Sequence, residues 1–369
     1  MNVVIAVSAR YFPFEDATNH LARYVLLSRA WFEHGVGLPS TIVVRARPGP
    51  YFALDAIGAL VVHLVGPDLA IRVIAAMTVA AIPLGFALLL NAMGGEARRW
   101  AIVSVPFGFG FFTHAGFLSY VVGVGAAFAF LALWWRQRPI GVLVIGIVCC
   151  YLMHLASALM VLVVLWVDAI YARDRRVWRA LALTATVGAM YLWTIVGAPP
   201  LPPSDGGPLT LYTPWWKIKN IFAPFYVYSG PQALVMIATY FLTVWLYVRA
   251  NPLRPWRTTL GLSAAAFFVL YMIFPQIGTG GGYVDQRWLV PAYLLVFCAA
   301  MPSRGPSRRG VTALLAGSIL STLVLTPTIW KIDQYLADYE RVLEQLPPGR
   351  GVFPVVADNR RFGGRVIPY

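Results

Sequence analysis

Charged residues are scarce in this sequence. Of its 369 residues only 12% are charged while 59% are hydrophobic, and the mean hydropathy is +0.69. A soluble domain of this length could not cover so much apolar surface. The composition therefore excludes an ordinary soluble fold and predicts an all-α polytopic membrane protein.

Cysteine and lysine each occur only three times. Cys149 and Cys150 are adjacent in one apolar run and Cys298 lies in another, which excludes a disulfide framework and a spaced cysteine metal site. The net charge of +14 comes from arginines that lie in short clusters between apolar runs. That placement indicates orientation in a membrane rather than nucleic-acid binding, so we expect no nucleic-acid partner.

Arginine clusters alternate with apolar runs along the chain, and positive charge in short loops is retained in the cytoplasm. They are Arg98 with Arg99, Arg136 with Arg138, Arg173–Arg179, Arg249–Arg257 and Arg304–Arg309. We predict that all of these clusters face the cytoplasm, which gives a bundle of about 10–11 transmembrane helices in the inner (cytoplasmic) membrane.

Two apolar runs are too long for one span. Residues 100 to 134 as a single helix would extend about 52 Å, whereas a bilayer core is about 30 Å thick. We predict that this run turns near 112–116, and that residues 139 to 172 turn near 152–155. Both turns carry a histidine and face the exterior.

The same alternation predicts a transmembrane domain over 1–329 and a short outer tail over 330–369. The outer loops of the transmembrane domain are 13–68, 199–231 and 277–287.

Amphipathic helices are predicted in two of these outer segments. The first loop contains two, at 16–34 and 51–66, which we expect to lie along the membrane surface. The tail contains one apolar stripe over 332–346, which Pro347 ends, and a short strand is predicted at 352–356.

The first outer loop holds the densest group of polar residues. In a helix, Asp16, His20 and Arg23 fall within about 60° of one another. Asp16, with Glu15 as the second candidate, can then act as a general base toward a hydroxyl, while Arg23 binds a phosphate oxygen and His20 orients Asp16 or donates to the phosphate. The structural alternatives are a helix cap at Asp16, a solvated Glu15 and a row of ion pairs within the helix.

His114 and His154 lie at the two predicted outer turns. Each is either an interfacial side chain or a ligand for a phosphate or pyrophosphate head group. A divalent ion shared with Asp16 is a further alternative, although the spacing of a helical zinc motif is missing.

The remaining candidates lie in the second and third outer loops. Asp285 and Arg287 follow a glycine-rich stretch, and one alternative is that they pair with each other. The other is that Arg287 contacts a lipid phosphate while Asp285 contacts the sugar, the acceptor or Arg23. Lys217 and Lys219 stand beside Trp215 and Trp216, an aromatic pair suited to the membrane interface. Either lysine can stabilise a departing phosphate.

Four short motifs resemble those of bacterial multi-span glycosyltransferases of the GT-C type, a superfamily that includes protein O-mannosyltransferases and lipid A aminoarabinose transferases. The motifs are Glu15-Asp16 with Asn19-His20-Leu21-Ala22-Arg23, the turn Gly116-Phe117-Leu118-Ser119-Tyr120, His154-Leu155, and Asp285-Gln286-Arg287-Trp288-Leu289-Val290-Pro291. The resemblance implies a GT-C-like bundle that uses polyprenyl-phosphate sugars, with Asp16 as the catalytic carboxylate in the first outer loop.

The function that the resemblance implies is inverting transfer of a sugar from a polyprenyl-phosphate donor to a periplasmic glycan, lipid or protein acceptor. Membrane lipid is then a partner, and the active site faces the periplasm. Two other functions stay open: a transporter or flippase for a lipid-linked or anionic solute, and a non-catalytic assembly protein. A transporter would place charged groups at the bilayer midplane, and the predicted spans contain very few.

Overall fold

The computed structural model describes residues 2–8, 16–35, 48–173, 175–196, 211–226, 230–250, 258–276, 283–298 and 305–345. Over these residues the regular structure is entirely helical, which confirms the predicted all-α class. The α-helices are α1 (Asn2–Ser8), α2 (Ala17–Phe32), α3 (Phe52–Val65), α4 (Pro67–Met93), α5 (Val105–Gly108), α6 (Phe111–His114), α7 (Leu118–Trp135), α8 (Ile140–Met153), α9 (Leu155–Ala172), α10 (Arg176–Ile195), α11 (Pro214–Lys219), α12 (Gly230–Ala250), α13 (Thr259–Ile273), α14 (Leu289–Cys298) and α15 (Arg308–Glu344). Short 3-10 helices cover Gly95–Ser104, Ala223–Phe225 and Gln286–Trp288.

Five helices of the described chain are long and apolar enough to cross a membrane. The stretches concerned are Pro67–Met93, Leu118–Trp135, Leu155–Ala172, Gly230–Arg249 and Arg308–Asp338. Helices α3, α8 and α13 are apolar but have only 10 to 17 residues. The chain is therefore a multi-pass α-helical membrane protein, while the predicted ten or eleven spans stay a prediction.

Both predicted turns in the long apolar runs are present. Helix α8 ends at Met153 and α9 begins at Leu155, and α6 is separated from α7 by residues 115–117. The stretch from 95 to 114 differs from the expected span, because it consists of a 3-10 helix and the one-turn helices α5 and α6. The cause is close backbone contact: a Cβ on Gly108 would lie 2.4 Å from the Val79 carbonyl oxygen, and one on Gly110 would lie 2.6 Å from that of Pro224.

Helices α4 and α7 cross with their backbones in direct contact. A Cβ on Gly85 would lie 2.0 Å from the carbonyl oxygen of Gly125, and one on Gly125 would lie 2.4 Å from that of Ala81. Small residues permit this approach between helices in lipid, where close packing drives association. The crossing fixes α4 and α7 against each other at the centre of the bundle.

The two helices predicted in the first outer loop are present as α2 and α3, and they pack against each other. The ring of Tyr24 is fully buried over Gly58, where a Cβ would come within 2.5 Å of the ring. Helix α3 is more apolar than predicted, because Leu60 and Leu64 are exposed as well as the residues that pack inward.

The bundle has two chemically distinct ends. At one end Asp168 of α9 is buried and accepts hydrogen bonds from Trp134 Nε1, Arg176 Nη1 and Thr259 Oγ1, each at 3.0 Å. Arg176 is the ion-pair partner of Asp168. The opposite end, called the polar end below, comprises the starts of α2, α3, α7 and α9 together with Gln286–Trp288.

Helix α15 continues without a break through residue 330, where the outer tail was predicted to begin. Its residues Leu325 and Ile329 are buried in the same apolar cluster as Tyr24 and Leu54. The predicted start of the tail therefore falls within one continuous helix, next to residues that pack in the bundle. The predicted strand at 352–356 lies outside the described residues.

Candidate functional site at the polar end

Asp16 is the first residue of the site and lies immediately before α2. Its side chain caps no backbone N–H of the helix; one carboxylate oxygen instead accepts a hydrogen bond from Asn19 Nδ2 at 2.6 Å. Half of the side chain is exposed to solvent. The structural alternative of a helix cap is therefore not realised, and the carboxylate faces the medium. Glu15, the second candidate acid, lies outside the described residues.

His20 lies one turn after Asp16, and its ring is buried. Nε2 is 3.1 Å from the carbonyl oxygen of Gly116, which can only accept, so Nε2 carries the hydrogen. Nδ1 is then free to accept from Arg23 Nη2 at 3.0 Å. Burial, reinforced by the charge of Arg23, lowers the pKa of His20 to about 4. His20 is therefore neutral at pH 7, and its N–H donates a hydrogen bond to the carbonyl oxygen of Gly116.

Gly116 meets the start of α2 at very close range. Its φ of +81° lies in the left-handed region, and a Cβ there would be 2.6 Å from the backbone nitrogen and Cβ of Asp16. Only glycine satisfies both conditions. The turn before α7 thus holds the start of α2, and with it the carboxylate, against the bundle.

Arg23 forms its ion pair with a residue outside α2, rather than within the row predicted along that helix. Its Nη2 donates to Asp55 Oδ1 of α3 at 2.8 Å, while about half of the Arg23 side chain stays exposed. Burial raises the pKa of Asp55 and the charge of Arg23 opposes that rise. His20, which is neutral and 3.7 Å from Asp16, forms no true ion pair with it.

Arg287 is buried in the 3-10 turn before α14, among aromatic rings. Its guanidinium carbon lies 5.0 Å from the centre of the Phe117 ring and 5.9 Å from that of Tyr120. The Tyr120 hydroxyl donates to the backbone carbonyl of Arg287 at 2.5 Å, and the side chain of Tyr51 lies beside the guanidinium. Burial lowers the pKa of Arg287, an effect that the neighbouring Tyr51 opposes. The group still stays charged at pH 7, since a guanidinium does not lose its proton in proteins.

His154 completes the buried part of the site. It precedes α9, where its Nδ1 accepts the N–H of Ala156 at 3.0 Å, so Nε2 carries the hydrogen. The ring packs edge-on against Tyr51 at 4.9 Å and against Tyr120 at 5.5 Å. Burial first, and then the charge of Arg287, hold its pKa well below the usual range. His154 is thus a neutral N–H donor beside a guanidinium.

Lys217 and Asp285 form an ion pair that is closed to solvent, with 3.1 Å between Nζ and Oδ2. Nζ also donates to the carbonyl oxygens of Tyr271, at 2.6 Å, and Phe274. The ammonium group is therefore bound within the chain by two carbonyl oxygens and a carboxylate. Asp285 pairs with Lys217 rather than with Arg287, and its Oδ1 accepts the N–H of Gln286 at 2.8 Å.

The last two candidates are Lys219 and His114. Lys219 is exposed and stands 5.4 Å above the ring of Trp215, as expected for an interfacial position. His114 is buried in α6, two residues before Gly116.

These contacts join Asp16, His20, Arg23, His154 and Arg287 into one continuous group. Gly116 binds the start of α2, and its neighbour Phe117 packs on Arg287. Tyr51, the residue immediately before α3, lies against His154 and beside Arg287, while Asp55, in the first turn of α3, binds Arg23. Tyr51 and Asp55 were not predicted; the signal for Asp55 is a carboxylate inside an apolar helix. Among the described residues, no group of three His, Cys, Asp or Glu side chains is arranged to hold a metal ion.

No protein-family model matches the chain, and neither does any curated protein or solved structure.

Proposed function

We propose that the protein is a membrane glycosyltransferase that moves a sugar from a polyprenyl-phosphate donor to an acceptor hydroxyl with inversion. The proposal rests on the position, exposure and contacts of Asp16. It begins a helix that it does not cap, is half exposed, and belongs to the same contact network as a buried guanidinium. Orientation with this end toward the periplasm, in the inner membrane, is part of the proposal and follows from the arginine clusters.

The chemistry assigned to each side chain follows from its surroundings. The acceptor hydroxyl gives its proton to Asp16 while its oxygen bonds to the anomeric carbon. The bond from that carbon to the phosphate oxygen breaks, and polyprenyl phosphate leaves with the electron pair. Attack on the face opposite the phosphate inverts the anomeric centre.

Stabilisation of the departing phosphate falls to Arg287 and His154. The guanidinium supplies a positive charge in apolar surroundings and His154 supplies a neutral N–H, and donors placed in advance are worth more there than in water. Lys217 is left out of this role, because its ammonium group is already bound within the chain by two carbonyl oxygens and the carboxylate of Asp285.

The proposal is tested by Asp16→Asn in membranes supplied with polyprenyl monophosphates that carry radiolabelled hexoses or pentoses. Movement of the label out of the polyprenyl-phosphate fraction is measured. We expect transfer to fall by about 10²–10⁴-fold, the usual contribution of a general base. Asp338→Asn is the matched control, since Asp338 is an exposed carboxylate that pairs with Arg341 on α15. Undiminished transfer by Asp16→Asn would remove Asp16 from the mechanism.

A further inference from the structure

Helix α11 has one buried face and one exposed face, although it contains only six residues. At the spacing of an α-helix, Trp215, Ile218 and Lys219 fall within about 100° of arc, and Lys217 lies on the opposite side. The exposed fraction is 64% for Trp215 and 53% for Ile218, whereas Lys217 is fully buried. Large apolar side chains are therefore presented to the surroundings by a segment far too short to cross a membrane.

Lys217 fixes which face of α11 is exposed. Its ammonium group is held by the carboxylate of Asp285 and by the carbonyl oxygens of Tyr271 and Phe274, at the end of α13. A helix of six residues has little stability of its own, so its orientation depends on such contacts. The buried ion pair therefore keeps the opposite face of α11 turned away from the bundle.

The exposed face carries a positive charge that is not neutralised within the described residues. Nζ of Lys219 lies 5.4 Å from the centre of the Trp215 ring and forms no ion pair there. The sequence contains no aspartate or glutamate from 206 to 284, and Asp285 is already bound to Lys217. The face is therefore complementary to a negatively charged group at an apolar boundary.

We infer that this face of α11 binds anionic phospholipid headgroups of the leaflet at the polar end. Because α11 stands at the end of the apolar helix α13, its exposed side chains lie at the boundary of the bilayer. Tryptophan concentrates at that boundary, and a lysine there extends its ammonium group toward the polar headgroups. Trp215 and Ile218 then contact the upper acyl chain, while Lys219 binds the lipid phosphate. The inference does not depend on the glycosyltransferase proposal.

The test places a bimane fluorophore at residue 218 by Ile218→Cys and measures its quenching by spin-labelled lipids in nanodiscs. Cys149→Ala is included, since the other two cysteines, Cys150 and Cys298, are buried. We expect a lipid labelled at its headgroup to quench more strongly than one labelled deep in its acyl chain. Phosphatidylglycerol should also quench more strongly than phosphatidylcholine when both carry the same label at the same molar fraction.

Lys219→Gln measures the contribution of the charge in the same assay. We expect the preference for phosphatidylglycerol to fall by about fivefold, the effect of one basic residue near an anionic surface. Quenching by phosphatidylcholine should stay the same, because Trp215 still holds α11 at the boundary. Lys331→Gln is the matched control and should keep the full preference, because Lys331 is an exposed lysine on a different helix, α15.

Several results would overturn the inference. Equal quenching by the two lipids, or the same preference in Lys219→Gln as in Lys331→Gln, would show that Lys219 selects no anionic headgroup. Stronger quenching by the acyl-chain label, or none by either label, would place residue 218 away from the headgroups. If soluble glycerol phosphate removed the preference as effectively as unlabelled phosphatidylglycerol, the surface would bind free phosphates instead. None of these measurements involves sugar transfer, so their failure leaves the glycosyltransferase proposal unaffected.

Discussion

The backbone carbonyl of Gly116 accepts a hydrogen bond from the ring of His20 at 3.1 Å, across 96 residues of sequence. This contact joins the start of α2 to the turn that precedes α7. It places the carboxylate of Asp16 next to the bundle, although α2 is not one of the candidate spans. The position of the candidate base thus depends on a neutral imidazole and a glycine.

Stability should fall in mild acid because of His20. Its pKa is about 4 in the folded protein, against about 6.5 in an unfolded chain. As the pH falls below about 6.5, the unfolded chain binds a proton that the folded protein does not bind until about pH 4. Folding should therefore lose up to about 3 kcal/mol between pH 7 and pH 4.

The measurement is the free energy of unfolding in mixed micelles as a function of pH. His20→Gln keeps an N–H for Gly116 but does not titrate, so its stability should decline less over the same interval. Identical pH profiles for the two proteins would show that His20 is not the group responsible.

Replacement of Gly116 by alanine should destabilise the protein and displace α2. The new methyl group would overlap Asp16 and would also sit on a left-handed backbone. Gly66→Ala is the matched control, since Gly66 has a φ of +77° but open space around it. We expect Gly66→Ala to cost about 1–3 kcal/mol, because a φ of +77° with a ψ of 165° is a conformation that essentially only glycine adopts. Gly116→Ala should cost about 1–3 kcal/mol more from overlap. Equal losses in chemical denaturation would contradict the close contact with Asp16.

Removal of Lys217 should leave a buried carboxylate without its cation. We expect Lys217→Met to lower the free energy of unfolding by about 3–5 kcal/mol, the usual effect of breaking a buried ion pair. Adding Asp285→Asn to that variant should recover part of the loss, because no unpaired charge then remains. Lys219→Met, on the exposed face of α11, should change stability by less than about 0.5 kcal/mol. A simple sum of the two single losses in the double variant would exclude coupling.

Much of the helical framework was predictable from the sequence, since apolar runs and arginine clusters are both local signals. The limits of α2 and α3 and the breaks at 115–117 and His154 follow from such signals. The broken chain before α6 was not expected, because composition does not reveal that Gly108 and Gly110 touch other backbones.

The partners of the charged residues were harder to predict than their positions. Asp285 and Arg287 are close in sequence, and pairing between them was one of two alternatives. Asp285 instead binds Lys217, because the two side chains are buried together. Arg23 likewise binds Asp55 on the next helix. Pairing across helices depends on packing, and helical spacing within one segment carries no information about it.

The backbone contact between Gly85 and Gly125 restricts the geometry of the polar end. Gly125 lies about 10 Å along α7 from Leu118, at a rise of 1.5 Å per residue. Because no side chain separates the two helices there, the crossing has no compressible layer that could absorb a change in volume. A methyl group added at Gly85 or Gly125 would push α4 and α7 apart. The resulting tilt of α7 would displace the turn that holds Asp16.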